Sequence, residues 1–220
     1  MKVDVIQKVM KINDEVAASL RDRLAAMGLA SVNLLSGPGA GKTTLIETAI
    51  RALEGRVRLG VVEGDPDTAL DAERIARAGA PVVQINTGGG CHLEANLVDR
   101  ALGRLPLQEI DLLLIENVGN LVCPTDYDLG ETMRVGVVST AEGHDKPIKY
   151  PKLFRTVDMV ILNKIDLLPY VDFDVDVFLK HVESLKPGMP VLQVSCTTGE
   201  GIATWTHWLA HLARAQTPPR

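Results

Sequence analysis

Three glycines at alternate positions precede a Lys-Thr pair in Ser36-Gly37-Pro38-Gly39-Ala40-Gly41-Lys42-Thr43-Thr44, and that combination suits phosphate. An apolar run, Val32-Asn33-Leu34-Leu35, comes before it, and a helix-like run opens at Leu45. A strand, a glycine-rich turn and a helix joined by Gly-Lys-Thr make a phosphate-binding loop. Backbone N–H groups from Gly37, Gly39, Ala40, Gly41 and Thr44 can point at a triphosphate, and the positive end of the helix adds attraction. Lys42 would lie along the β- and γ-phosphates, with the Thr43 hydroxyl on Mg²⁺. Ser36 occupies the position that the pattern G-x-x-x-x-G-K-[ST] gives to glycine.

Asn163-Lys164-Ile165-Asp166 lies well downstream, at the end of another apolar run. A carboxylate there accepts two hydrogen bonds from guanine, whereas adenine has no matching pair of donors. Leaving a buried polar edge unpaired costs on the order of a few kcal/mol, so Asp166 would select GTP over ATP. Asn163 would brace the base edge and the Lys164 stem would cover its face. Ser195 and Cys196, after the last strand, could offer backbone N–H groups to the guanine oxygen, or could belong to an ordinary turn. This guanine pattern disfavours a kinase with a small-molecule acceptor.

Glu116-Asn117-Val118-Gly119 follows the most apolar stretch of the chain. Glu116 would hold Mg²⁺ directly or through water, and Gly119 could give its N–H to the γ-phosphate. Asp65, directly after the second strand, is placed first for the Mg²⁺ neighbourhood or the attacking water. Glu63, Asp67 and Asp71 stand close enough in sequence to compete for that place.

A second constellation has different chemistry. Cys91-His92 and Cys123 each follow a predicted strand, so both should reach one rim of a sheet near the nucleotide. Two thiolates and an imidazole suit Zn²⁺ or Ni²⁺, whereas carboxylate sets suit Mg²⁺ and Ca²⁺. Three ligands underfill a tetrahedral site, leaving water or a second subunit to complete it. His144, His181, His207 and His211 show no comparable grouping.

These groups need a scaffold, and the apolar pattern supplies one. Val5, Ile6, Val9, Met10, Val16, Leu20, Leu24 and Met27 recur at helical spacing, predicting an amphipathic helix over about 3–27. Short apolar runs predict strands at Val32–Leu35, Leu59–Val62, Val82–Ile85, Leu112–Ile115, Arg134–Ser139, Val157–Leu162 and Val191–Val194. Helices are expected near 44–53, 68–78, 93–102, 174–185 and 201–215, and a loop over Thr140–Pro151. Alternating strands and helices imply an α/β fold in three layers, a mostly parallel central sheet with helices on both faces. The functional loops then gather at the carboxyl ends of the strands.

The chain has 220 residues, 46% of them apolar, with a net charge of −5 and three cysteines. That length fits a single α/β domain, residues 1–220, with a substantial core. The negative balance argues against a nucleic-acid surface, and the absence of 18 consecutive apolar residues against a membrane span. With no signal-peptide core and too few cysteines for a disulfide framework, the expected location is cytoplasmic.

Taken together, Glu63-Gly64-Asp65, Asp71-Ala72-Glu73-Arg74, Asn86-Thr87-Gly88, Cys91-His92-Leu93 and Glu116-Asn117-Val118-Gly119-Asn120-Leu121-Val122-Cys123-Pro124 resemble the HypB family. The similarity runs from the phosphate loop through Asp166 and more loosely to the end. It implies a P-loop NTPase of the dimerising class that includes signal-recognition GTPases and septum-site ATPases. It further implies slow GTP hydrolysis, nickel insertion into [NiFe]-hydrogenase, and a homodimer binding Ni²⁺ or Zn²⁺ at Cys91, His92 and Cys123. Lys149 matches a lysine that reaches towards the other subunit's nucleotide, where it would neutralise triphosphate charge. The implied partners are a hydrogenase nickel chaperone and the hydrogenase large-subunit precursor. The urease-type nickel accessory GTPase is a cousin, but its Cys-Pro-His metal pair is absent here. Two features depart from some relatives: no Cys-x-x-Cys-Gly-Cys or histidine-rich tract precedes the helix, so nickel storage is not expected, and Asn96 stands where some carry another His. A reading of another class is a GTP-regulated dimerisation or docking module with a structural zinc.

Overall fold

Apolar runs too short for a core helix become the strands of one parallel sheet. The computed structural model describes residues 3–216. Its strands are β1 (Ala30–Ser36), β2 (Leu59–Asp65), β3 (Val82–Asn86), β4 (Leu112–Glu116), β5 (Met133–Ser139), β6 (Met159–Asn163) and β7 (Val191–Gln193). They lie in the order β3-β2-β4-β1-β5-β6-β7, and every pairing is parallel. Every residue of β1 and β4 is buried, as expected of strands covered on both faces.

The helices are α1 (Val3–Ala26), α2 (Lys42–Leu53), α3 (Leu70–Ala78), α4 (Ala95–Leu102), α5 (Lys146–Lys149), α6 (Pro151–Thr156), α7 (Val175–Leu185) and α8 (Ile202–Gln216). Alternation along each strand divides the core. Leu112 and Leu114 of β4 join residues of α2, α3 and α8, including the fully buried Trp205. Leu113 and Ile115 join residues of α1 and α4 instead. Towards β7 that second face is completed by Phe154 of α6 and Phe178 of α7.

The expected N-terminal helix forms, and it packs on α4 as well as on the sheet. Ala17, Leu20 and Leu24 are buried with Val98, Ala101 and Leu102. Asn13, buried in the same interface, accepts from the Ala95 N–H at 2.9 Å and donates to the Asp128 carbonyl at 2.8 Å. It thereby satisfies an orphan donor at the start of α4. The expected inward positions Val5, Ile6 and Val9 fall outside the residues whose side chains are described, as does the tail Thr217–Arg220.

The segment Thr140–Pro151 is not the loop expected of it. A 3₁₀ turn covers Thr140–Glu142, α5 follows, and α6 begins at Pro151. A reciprocal cap starts the first turn: Ser139 Oγ accepts from the Ala141 N–H at 3.2 Å, and Glu142 Oε2 accepts from the Ser139 N–H at 2.7 Å. Pro147 and Pro151 sit in the first turns of their helices, where the missing N–H costs nothing. With α6 running to Thr156, β6 starts at Met159 rather than Val157.

Candidate functional site

The sheet order leaves β1 between β4 and β5, so the turn after β1 opens where loops from both sides converge. Gly39 and Gly41 adopt φ of +75° and +97°, a region that favours glycine. At Gly41 a Cβ would also lie 2.6 Å from Asn163 Nδ2. The turn delivers Lys42 and Thr43, both buried, to the first turn of α2. Lys42 Nζ donates to Ser36 Oγ at 2.8 Å, which gives the serine standing in place of glycine a definite task. Burial lowers the lysine's pKa, with Glu116 the first opposing charge.

Thr43 Oγ1 donates to Glu116 Oε1 at 2.8 Å, bringing the end of β4 onto the phosphate loop. Gly119 closes the same contact, since a Cβ there would lie 3.0 Å from Pro38 Cα. Between this turn and the ends of β2 and β4 lies a cavity of about 450 Å³. Glu63 and Glu116 are register partners on adjacent strands and both reach this cavity. Each has an Oε2 buried without a hydrogen-bond partner. Burial first, then Glu116, pushes the Glu63 carboxyl up to about 8; burial, opposed by Lys42, pushes Glu116 up to about 7.

Asp65, the first sequence choice among these acids, has a further local role. Its Oδ1 accepts from the N–H groups of Asp67 and Thr68 at 2.8 and 2.6 Å, shaping the turn into α3. Glu63, Asp65 and Asp71 bring carboxylate oxygens within 4.8 Å of one another, whereas Asp67 is exposed outside that group. Asp65 is thus the last residue of β2 rather than the first after it, and the more deeply buried acid of the strand is Glu63. Arg74, given no role in the sequence reading, also reaches the site. It donates to Thr44 Oγ1 at 3.0 Å and to Glu47 at 2.6 Å.

Asn163, Lys164, Asp166, Ser195 and Cys196 come together beside the phosphate loop. Asn163 Nδ2 donates to the Ala40 carbonyl at 2.8 Å, and Lys164 Nζ to the Gly39 carbonyl at 2.7 Å. Both side chains thus buttress the turn. Lys164 is the one described residue other than glycine with positive φ, +61°, a strain of about 1–2 kcal/mol that survives because its neighbours fix it. Ser195 Oγ donates to Asp166 Oδ1 at 2.5 Å and accepts from the N–H groups of Thr197 and Thr198. Cys196 Sγ lies 3.9 Å from Asn163 Oδ1. Lys149 stands apart from these groups: it is well exposed on α5 and pairs with Asp145 at 2.5 Å.

Cys91, His92 and Cys123, separated by some thirty positions in sequence, do meet. Their ligand atoms all lie within 4.8 Å of one another, and each side chain is half-buried. Cys91 Sγ lies 3.5 Å from His92 Nδ1. The Cys123 sulfur and burial push the Cys91 thiol up, and burial pulls the His92 imidazole down. A neutral imidazole and two sulfurs form a borderline-soft donor set suited to Zn²⁺ or Ni²⁺. Among the described residues the other candidate metal group is the Glu63, Asp65 and Asp71 set, of opposite chemical character.

Two residues that the sequence reading left without a role join these regions. Asn117, fully buried, accepts at Oδ1 from the N–H groups of Leu93 at 3.2 Å and Val118 at 3.0 Å. Its Nδ2 donates to Asn33 Oδ1 of β1 at 3.3 Å. Tyr127 stacks on His92 with ring centroids 3.8 Å apart and planes 21° from parallel. Asn117 lies inside the Glu116–Gly119 motif, so its position was legible even though its task was not.

Comparison with known proteins gives the family of the chain. A family model described as the CobW/HypB/UreG nucleotide-binding domain matches residues 31–193. A hydrogenase maturation factor HypB of Azotobacter vinelandii is 48% identical over 203 residues, 92% of this chain and 67% of the relative. That of Escherichia coli K12 is 44% identical over 95% of this chain and 71% of its own length. The crystal structure of HypB from Helicobacter pylori in complex with nickel superposes with a TM-score of 0.88 at 36% identity, covering 94% of this chain and 97% of that one. The signal recognition particle receptor FtsY from Elizabethkingia anophelis, at 16% identity and a TM-score of 0.53, shares the fold. The chain belongs to the HypB family of hydrogenase maturation factors, within the CobW/HypB/UreG group of nucleotide-binding proteins.

Proposed function

We propose that this chain is a GTP-hydrolysing nickel chaperone of hydrogenase maturation, working in the cytoplasm as a homodimer whose nucleotide state sets its affinity for metal. The observation that carries the reading is Asn117. One buried amide holds the segment after β4, which touches the phosphate loop through Gly119 as Glu116 does from the strand end, and also the backbone next to Cys91-His92. A shift of that segment when a γ-phosphate binds or leaves would alter the spacing between Cys123 and the Cys91–His92 pair. Metal affinity would then differ between nucleotide states, as any coupled switch requires.

Within that cycle, Lys42 and the phosphate-loop amides bind the triphosphate, and Asp166 selects guanine over adenine. The paired acids fit a resident Mg²⁺, since Thr43, Glu116 and Glu63 offer oxygens and two carboxylate atoms there are buried without partners. Thr43 and Glu116 would hold the ion, with Glu63 or Asp65 beside it; its chemistry is neutralisation of charge on the β- and γ-phosphates. Nickel, or zinc in its place, is the cargo at Cys91, His92 and Cys123. In the closed dimer Lys149, paired here with Asp145, would turn to the partner's triphosphate. Release would deliver nickel to a hydrogenase nickel chaperone or the large-subunit precursor.

The test is GTP and ATP turnover beside molar mass measured by light scattering in GDP and in a non-hydrolysable GTP analogue. The expected result is turnover of GTP alone and a doubled mass in the analogue. Equal use of ATP, or a mass that ignores the nucleotide, would refute the reading.

A further inference from the structure

The metal cluster has a supporting frame that its three ligands do not supply. His92 turns its two ring nitrogens in different directions. Nδ1 lies 3.5 Å from Cys91 Sγ, on the sulfur side. Nε2 is buried, has no hydrogen-bond partner, and lies 3.8 Å from Glu94 Oε1. Glu94 is the residue preceding α4, yet its side chain makes no cap to that helix. The ring's face is covered by Tyr127, four residues past Cys123 and therefore on the opposite loop.

We propose that Glu94 and Tyr127 are positioning residues for the cation, Glu94 accepting from His92 Nε2–H so that the Nδ1 lone pair faces the two sulfurs, and Tyr127 clamping the ring plane against the Cys123 loop. A metal-bound histidine that donates its other N–H to a carboxylate has its tautomer fixed and its basicity raised. An aromatic face at stacking distance removes ring rotation that ligation would otherwise have to freeze. Tyr127 also does what the thiols cannot, because its stack joins the two ligand-bearing loops before any ion arrives. Asn117 joins the same loops through backbone N–H groups, while Tyr127 joins them through a ligand itself. The proposal rests on the reading of Cys91, His92 and Cys123 as the metal site.

The experiment is a competition titration of the full chain with Ni²⁺ and with Zn²⁺ against a chromophoric chelator, with GDP affinity measured beside it as a check of the fold. Tyr127→Ala and Glu94→Ala should each weaken both metals by about 10–100-fold with GDP affinity unchanged. Tyr127→Phe, which keeps the stack, should recover wild-type affinity, and Glu94→Gln, which keeps an acceptor, should fall between. The absorption from thiolate to nickel should persist in all four at saturating metal. Affinities within twofold of wild type for both alanine variants, while Cys91→Ala abolishes binding, would overturn the proposal and leave the metal site standing. If Tyr127→Phe is as weak as Tyr127→Ala, the stacking role is overturned. A Cys91→Ala variant that binds as wild type would overturn the site reading and this proposal with it.

Discussion

The phosphate loop and the cysteine–histidine cluster occupy the same rim of the sheet but are held by opposite means. Around the phosphate loop, Asn163 and Lys164 grip the Ala40 and Gly39 carbonyls, Ser36 holds Lys42, and Glu116 holds Thr43. Around the metal cluster the ligands sit half-buried on two loops, joined by a ring stack and by one buried asparagine. A phosphate presents the same charge and shape every time, so a backbone cradle braced from several strands serves it. A cargo that must be released is better held by loops able to part, because such segments open at low free-energy cost. On the proposed function, the nucleotide end would be the constant one and the metal end the adjustable one.

The contrast makes its largest prediction at Lys42. Lys42→Ala removes a buried cation along with its charge-assisted hydrogen bonds, and GTP affinity should fall by at least about 100-fold. Metal affinity of the nucleotide-free chain should stay within about twofold, as titration calorimetry of both ligands would show, because no hydrogen bond of Lys42 reaches the cluster. A large parallel loss of metal binding would erase the distinction between the two ends.

Cys123→Ala should do the converse. Removing one of three ligands should cost about 100-fold or more in Ni²⁺ and Zn²⁺ affinity with GTP binding retained. The melting temperature of the metal-free chain should move by only a few degrees, since Cys123 is half-buried at the start of a short 3₁₀ turn, outside the packed core. Collapse of the fold or dimer on metal removal would favour a structural zinc instead.

Asn117→Ala should produce a smaller effect at the link. It leaves the Leu93 N–H and the Asn33 amide without their partner, a cost of about 1–3 kcal/mol in stability. The ratio of nickel affinities between GTP-analogue and GDP states should shrink by about tenfold while each ligand alone still binds. An unchanged ratio would remove Asn117 from the coupling.

The smallest effect is a pH dependence. Glu63 is held at about 8 and Glu116 at about 7, both above the ordinary glutamate value of 4.5. Between those values the folded chain keeps protons that the unfolded chain has released, so its stability without nucleotide or metal falls as pH rises from about 4.5 towards 8. Glu63→Gln should flatten that slope. Thermal melts should show the variant gaining several degrees on wild type between pH 5 and pH 8.5. An advantage that does not grow with pH would place the shift elsewhere.

Much of this was legible in sequence because its signals are local. The phosphate loop, the Asn163–Asp166 segment and each short apolar run announce themselves within a few residues. The meeting of Cys91-His92 with Cys123 followed from both succeeding strands of a parallel sheet. Other features depended on three-dimensional neighbours. The prolines at 147 and 151 look like loop residues until they occupy first turns. Glu63 ranked below Asp65 because strand position is visible in sequence, whereas burial against Glu116 is not. The tie from Asn117 to Leu93 and the stack of Tyr127 on His92 cross between loops and leave no periodic trace.

The account stands most directly on nickel affinity measured for one preparation in two nucleotide states. Equilibrium titration with GDP–Mg²⁺ and with a non-hydrolysable GTP analogue and Mg²⁺ should give dissociation constants that differ by about tenfold or more, a coupling of about 1.4 kcal/mol. Equal affinities in the two states would contradict it, because a nucleotide that leaves the Cys91, His92 and Cys123 site unchanged cannot govern what that site carries.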